Sequence, residues 1–209
     1  MQRCPIYAFL TANAISLIGN NLTMIAVPWF VLETTGSAAK TGLVGFFTAL
    51  PAIIAAFFGG TLVDHFGRKQ MSIISDMASG LTVALIPLLY STIGLGFWQL
   101  LLLVFLSALL DAPGSTARSA LFPDVAQATN VRLEQANAAQ QTVQRAATLI
   151  GPAIAGVLIA WLGTSNVLWL DAATFAISAG LFALAVPSRQ AKLISQARYF
   201  DQLRMGYSL

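Results

Sequence analysis

The sequence predicts an all-α integral membrane fold of six transmembrane helices. Three observations carry that expectation. The chain of 209 residues is 57% hydrophobic and only 9% charged, with a mean hydropathy of +0.75, whereas soluble domains carry about 25% charged residues. A water-soluble fold of this composition would expose large apolar patches and aggregate. Six apolar runs reach the length of about 20 residues that a spanning helix needs. The charges between them concentrate in alternate connections.

The runs are Tyr7 to Leu32, Thr41 to Val63, Met71 to Ile93, Phe97 to Ala117, Asn137 to Leu162 and Val167 to Val186. The first is too long for a signal-peptide core and has no small-residue cleavage site after it. The connections Glu33 to Lys40, Ser91 to Gly96 and Gly163 to Asn166 are short and nearly uncharged. Asp64 to Gln70, Arg118 to Ala136 and the tail from Ser188 are charged. Of the eleven cations, only Lys40 falls on the first side; Arg3, Arg68, Lys69, Arg118, Arg132, Arg145, Arg189, Lys192, Arg198 and Arg204 fall on the other or near its helix ends. By the positive-inside rule that second side is cytoplasmic, and six crossings put both termini there.

Several chemistries are disfavoured. A single cysteine, Cys4, permits no intrachain disulfide. With one histidine, His65, it makes a zinc or thiol–imidazole site improbable, so no metal and no cofactor are expected. No nucleophile–base pair and no phosphate-cradling loop is present, so neither an enzyme nor an ATP-driven pump is expected, and no nucleic-acid partner.

In the first run Asn13, Ser16, Asn20 and Thr23 fall within an arc of about 80° at 100° per residue. Amides facing lipid are costly. The stripe therefore either hydrogen-bonds neighbouring helices or walls a wet cavity.

The second run contains Pro51 and ends in Gly59-Gly60-Thr61-Leu62-Val63-Asp64-His65-Phe66-Gly67-Arg68-Lys69. This is a tight, charged junction between two spans. Gly60, Leu62, Asp64, Gly67, Arg68 and Lys69 have the spacing of the loop between helices 2 and 3 of major facilitator transporters. The chain resembles the N-terminal six-helix half of that superfamily. Pro28-Trp29-Phe30 followed by Thr34-Thr35-Gly36-Ser37 resembles its enterobactin-exporter-like and macrolide-efflux-like branch. The resemblance implies two inverted three-helix repeats over residues 1–187, and a first helix in each repeat that lines the transport cavity. It also implies a linker starting at 188–209 and a second six-helix half, so that the chain is expected to be part of a longer protein. Asp64 would face a helix terminus of that second half, with Arg68 bridging to a nearby carboxylate; the pair would act as a gating latch. His65 departs from the family, where Arg or Lys is commoner. The alternative is a solvated turn that serves only as a positive-inside signal.

The third run places Ser72, Ser75, Asp76, Ser79 and Thr82 on one face, a pattern typical of helix-packing hydroxyls; Asp76 reads as structural. The fourth places Ser107, Asp111, Gly114, Ser115 and Arg118 on one face. An ionised Asp deep in a membrane helix costs about 2.5–3.5 kcal/mol on insertion scales, so Asp111 needs a partner, Arg118 or Arg68. It is either a structural ion pair or a proton-coupling carboxylate. Asp124, Arg132 and Glu134 are expected in water or the headgroup layer. The fifth run carries Asn137, Gln140, Gln141, Gln144 and Thr148 within an arc of about 100°, with Arg145 beside them, where it could meet Asp111 or an anionic substrate group. Gly151-Pro152-Ala153-Ile154-Ala155-Gly156 resembles the close-packing end of the fifth-helix signature of drug–proton antiporters, with Ala155 where a second glycine is usual. Its expected reason is close approach to a helix of the other half, with a kink at Pro152. In the sixth run Asp171, Thr174 and Ser178 share a face, and Asp171 is expected about one turn from the outer surface and hydrated. The tail from Ser188 reads as an interfacial amphipathic helix on an anionic leaflet.

The expected function is secondary active transport across the bacterial inner membrane by alternating access, as proton-coupled efflux of a small amphipathic drug or siderophore. Asn13, Ser16, Asn20, Gln140, Gln141 and Gln144 are candidates for the cavity wall, and Asp111, Arg118, Arg145 and Asp171 for coupling or ion pairing. Expected partners are membrane lipid, the small-molecule substrate and protons. The alternatives are uptake of a nutrient, and a membrane protein that keeps the fold without transporting.

Overall fold

A computed structural model describes residues 4–186, apart from the side chains of Cys4, residues 56–61, Asp64 and Ala185. Its helices are α1 (Cys4–Thr35), α2 (Ala38–Phe66), α3 (Arg68–Thr92), α4 (Phe97–Ala128), α5 (Leu133–Leu162) and α6 (Thr164–Ala185). No strand occurs among the described residues. All six are long and apolar enough to cross a membrane. The expected linker and amphipathic tail from residue 188 lie outside the described residues.

The helices run further than the apolar stretches suggested. The largest difference is α4, which continues from Ala117 to Ala128; the expected long loop shrinks to Thr129–Arg132. Arg118 and Asp124 lower the local hydropathy there, but each finds a partner inside the fold, so the helix need not stop where the charges begin. Prolines inside the helices (Pro28, Pro51, Pro87, Pro113, Pro123 and Pro152) are accommodated because neighbouring helices compensate the freed backbone groups.

The packing repeats. α1 lies against α6 as α4 lies against α3, and α1 packs on α5 as α4 packs on α2; α3 and α6 pair with each other at the centre. Exchanging α1 with α4, α2 with α5 and α3 with α6 leaves this set of neighbours unchanged. Three crossings separate each pair of equivalents, so equivalent helices run in opposite directions: these are inverted repeats. The connectors match as well. One residue joins α2 to α3, Gly67 (φ 83°, ψ 146°), and one joins α5 to α6, Gly163 (φ 80°, ψ 159°). That region of backbone space is nearly glycine-only, which is why a glycine stands at both joints.

Two apolar clusters sandwich a polar layer. At the end bearing Arg68, Lys69 and Arg132 (the basic end), Phe9, Leu121, Phe122, Val125 and Phe182 are buried together; the Phe9 ring lies 5.1 Å from Phe122 and 5.3 Å from Phe182. Toward the opposite end Val27, Val31, Val44, Ile86, Leu101, Leu168 and Phe175 form the larger cluster. Lipid tails are as apolar as these side chains, so the helices are held by close packing and interhelical hydrogen bonds rather than by hydrophobic expulsion. The serine stripe of α3 supplies such bonds. Ser79 Oγ donates to the Ser107 carbonyl at 3.1 Å, and Ser75 Oγ donates to the Leu110 carbonyl, both on α4. α2 and α5 are the least buried helices, with broad faces left unpartnered in this six-helix unit.

Candidate functional site

The polar layer is built around Arg118. This guanidinium is 4% exposed. Its Nη1 donates to Asp76 Oδ1 at 2.7 Å and its Nη2 to Asp111 Oδ1 at 3.3 Å. The second oxygen of each acid is also engaged: Ser178 Oγ donates to Asp76 Oδ2 at 2.7 Å, and Asn20 Nδ2 donates to Asp111 Oδ2 at 3.1 Å. One planar fork thus spans two carboxylates, and α1, α3, α4 and α6 are cross-linked through them. All four carboxylate oxygens have a donor, the condition under which a buried charged cluster is tolerable. Asp76 is fully buried, whereas the Asp111 side chain keeps 19% of its surface.

That surface opens on a cavity of about 680 Å³ between α1, α2, α3, α4 and α6. Its polar lining includes Asn20, Thr23, Thr48, Ser107, Asp111 and Asp171, and its apolar lining includes Met24, Ile86 and Phe175. Asp171 differs from the expectation. It is fully buried, because α6 begins at Thr164 and turns the acid onto α1 instead of out to water. Thr23 donates to its Oδ2, and Thr174 Oγ1 lies 3.1 Å from its Oδ1. The α1 stripe therefore divides: Asn20 and Thr23 reach acids at the cavity, while Asn13 and Ser16 are buried among helices and do not border it.

On α5, Gln141, Gln144 and Arg145 are exposed and Gln140 is half-buried. They lie on the sparsely packed helix, away from the described cavity. Arg145 makes no ion pair among the described residues, so it is not the partner of Asp111. Gly151 is also placed differently. A Cβ there would lie 2.7 Å from Asn21 Cβ of α1, whereas at Gly156 it would meet open space. The close approach that Gly151 allows is to α1 of the same six-helix unit; Pro152 and Gly156 are on the exposed side.

At the basic end Gly60, Leu62 and Asp64 belong to the end of α2, Gly67 is the joint, and Arg68 and Lys69 open α3. The Asp64 side chain lies outside what is described. Two cations at a helix N-terminus oppose its dipole, but here both reach to neighbouring C-terminal turns. Arg68 Nη1 donates to Asp124 Oδ2 near the end of α4 at 2.6 Å, and Lys69 Nζ donates to the Ala183 carbonyl at the end of α6 at 2.9 Å. Asp124 is thus a partner of Arg68 rather than simply solvated, and Arg68 does not serve Asp111. Both side chains are more than a third exposed, so Arg68→Ala is expected to change stability by no more than about 1 kcal/mol, read as a small shift in thermal unfolding of the solubilised protein.

Sequence reasoning did not connect Asp76 with Arg118, nor Thr23 with Asp171. The available signal was an acid sitting on an otherwise small-hydroxyl stripe, where only a buried donor can hold it.

Inverted repeats around a half-open cavity edged by acids and hydroxyls define a six-helix unit of a membrane transporter fold. Comparison with known proteins agrees: the family model for the Major Facilitator Superfamily matches residues 9–202, and the chain belongs to that family. It is 35% identical over 180 residues to the multidrug efflux pump Tap of Mycobacterium tuberculosis, covering 85% of this chain and 43% of that protein. It is 27% identical over 153 residues to the staphyloferrin A transporter of Staphylococcus aureus, 73% of this chain and 38% of that protein. It is 23% identical over 152 residues to macrolide efflux protein A of Streptococcus pyogenes, 73% and 37% respectively. The chain spans less than half the length of these curated relatives. They are transporters, not enzymes. No solved structure matched the chain.

Proposed function

We propose that the complete protein is a secondary active transporter of the bacterial inner membrane that exports a small amphipathic compound, of the drug or siderophore class, by alternating access coupled to protons. The observation that carries this reading is the cavity of about 680 Å³, mid-way along α1 and α4, whose wall mixes carboxylates and hydroxyls with Met24, Ile86 and Phe175. Such a wall suits a ligand that is partly apolar and partly polar. The efflux names of two of the relatives support the direction of transport, and the staphyloferrin relative supports the siderophore class. The basic end faces the cytoplasm, on the distribution of the cations. A second six-helix half covers the bare faces of α2 and α5 and closes the cavity from the other side, with Gln140, Gln141 and Gln144 on the face turned toward it.

Gly60, Leu62, Asp64, Gly67, Arg68 and Lys69 act as the cytoplasmic clasp. Arg68 and Lys69 hold the α2–α3 joint to α4 and α6, and Asp64 meets a helix N-terminus of the second half. In vesicles carrying the protein from its complete coding sequence, an imposed proton gradient should drive accumulation of ethidium as a lipophilic probe. Asp64→Asn should slow that transport about twofold to thirtyfold, the loss of an attraction of about 0.3–2 kcal/mol at a helix terminus. An unchanged rate would rule out the clasp; no gradient-driven movement by the wild type, of ethidium or of a siderophore, would rule out the transport reading.

A further inference from the structure

The two acids at the cavity are not equivalent. Asp111 shares a guanidinium and an amide donor with its neighbours. Asp171, fully buried, has no cation within ion-pair distance among the described residues. The charged groups on the helices packed against α6 are all committed or remote. On α1, Glu33 accepts from Trp29 Nε1 and Thr164 at the far end. On α3, Asp76 is held by Arg118 and Ser178, while Arg68 and Lys69 are at the basic end. On α5, Glu134 and Arg145 are exposed and nearer the basic end. Across the cavity on α4 stands Asp111, another acid.

The hydrogen-bond bookkeeping around Asp171 is informative. Thr23 contributes its hydroxyl proton to Oδ2. Thr174 Oγ1 lies 2.8 Å from the Asp171 carbonyl oxygen and 3.1 Å from Oδ1. A threonine has one hydroxyl proton, and in a helix it is habitually given to a carbonyl of the preceding turn. With the proton on that carbonyl, Oδ1 faces a lone pair of Thr174 and can donate to it as a carboxylic acid; turned the other way, the same hydroxyl donates to Oδ1 of the ion, so Thr174 can serve either protonation state. As an ion the group would be buried with hydroxyl donors alone and no countercharge among the described residues, whereas a carboxylic acid there needs none.

We propose that Asp171 is a proton-binding site in its own right, separate from the Asp76–Arg118–Asp111 cluster, with Thr174 Oγ1 accepting from the bound proton and Thr23 Oγ1 fixing the other oxygen. Uptake converts the carboxylate and a hydronium ion from the cavity into a carboxylic acid and water; release reverses this, and only O–H bonds form or break. Asp111 is engaged instead by Arg118 and Asn20. Use of the site in coupling rests on the transport reading above, but proton binding itself does not, and it is tested without substrate.

The protein from its complete coding sequence is reconstituted in lipid, and infrared difference spectra are taken between acidic and alkaline buffer. The wild type should show the carbonyl band of a buried protonated carboxyl. Asp171→Asn is a near-isostere that accepts from Thr23 and donates to Thr174, so it imitates the protonated form, and it should abolish the band. Thr174→Val should keep the band and move it to higher frequency, because the acid's O–H loses its acceptor. A wild type without the band, a band undiminished in Asp171→Asn, or one unmoved in Thr174→Val would each overturn the proposal. Intact band behaviour in protein that moves neither ethidium nor siderophore would count against the transport reading alone.

Discussion

Replacing Arg118 by leucine should destabilise the protein by about 3–5 kcal/mol, the range measured when one partner of a buried ion pair is deleted. Two carboxylates lose their only countercharge at once. Asp76 is left fully buried with Ser178 as its single donor, and Asp111 is left with Asn20. Arg118→Lys should recover only part of the loss, since one ammonium cannot place two parallel N–H groups on two separate acids as the guanidinium fork does. The pair of single substitutions Asp76→Asn and Asp111→Asn should rank in the order of burial, with Asp76 the more costly. The triple variant Asp76→Asn, Asp111→Asn, Arg118→Met contains no orphaned charge and should be more stable than Arg118→Leu alone, a non-additivity expected of residues in one network. Thermal unfolding of detergent-solubilised protein measures all five. If the triple variant were as unstable as the single one, shape rather than charge would be what this layer contributes.

How much of this was legible in the sequence depends on whether a feature is local. The six spans were, because each is a run of about 20 apolar residues. The same rule misplaced the end of α4. Hydropathy falls at Arg118 and Asp124, yet both are satisfied by residues distant in sequence, Asp76 and Arg68. Asp111 and Arg118 were legible as a pair since they are two turns apart on one face. Their third member was not: joining Asp76 to Arg118 needs the register of α3 against α4, which Gly114 sets by letting Ser75 come close. The junction from Gly60 to Lys69 could be recognised by its spacing, but the direction in which Arg68 and Lys69 reach, onto α4 and α6 of the same unit, could not. Asp171 shows the limit most plainly. Its depth along the helix is readable to within a turn or two, whereas its burial follows from which way α6 faces α1, a tertiary fact.

That crossing of α1 and α6 yields the second large effect expected. Gly19 lies one turn before Thr23, and a Cβ added to it would fall inside the contact distance of both Thr174 Oγ1 and Asp171 Oδ1. Neither neighbour is free to step aside. Asp171 is pinned by Thr23 from the same helix that carries Gly19, and Thr174 is tied to the Asp171 carbonyl at 2.8 Å. Moving α6 outward would release the clash but would also break the Thr23 bond and open the larger apolar cluster, in which Phe175 of α6 is buried together with Val83 of α3 and Leu22 of α1. Gly19→Ala should therefore cost about 1–3 kcal/mol, the usual range for overpacking a filled interior. Gly156→Ala, where the added carbon meets nothing in this unit, is the control within a membrane helix. Gly19→Ala should also shift the infrared band of Asp171, because the clash falls on the hydrogen-bonded oxygen itself; Gly156→Ala should leave it in place. A Gly19→Ala protein with wild-type unfolding temperature and an unmoved band would mean that α1 and α6 do not meet as closely as this geometry requires.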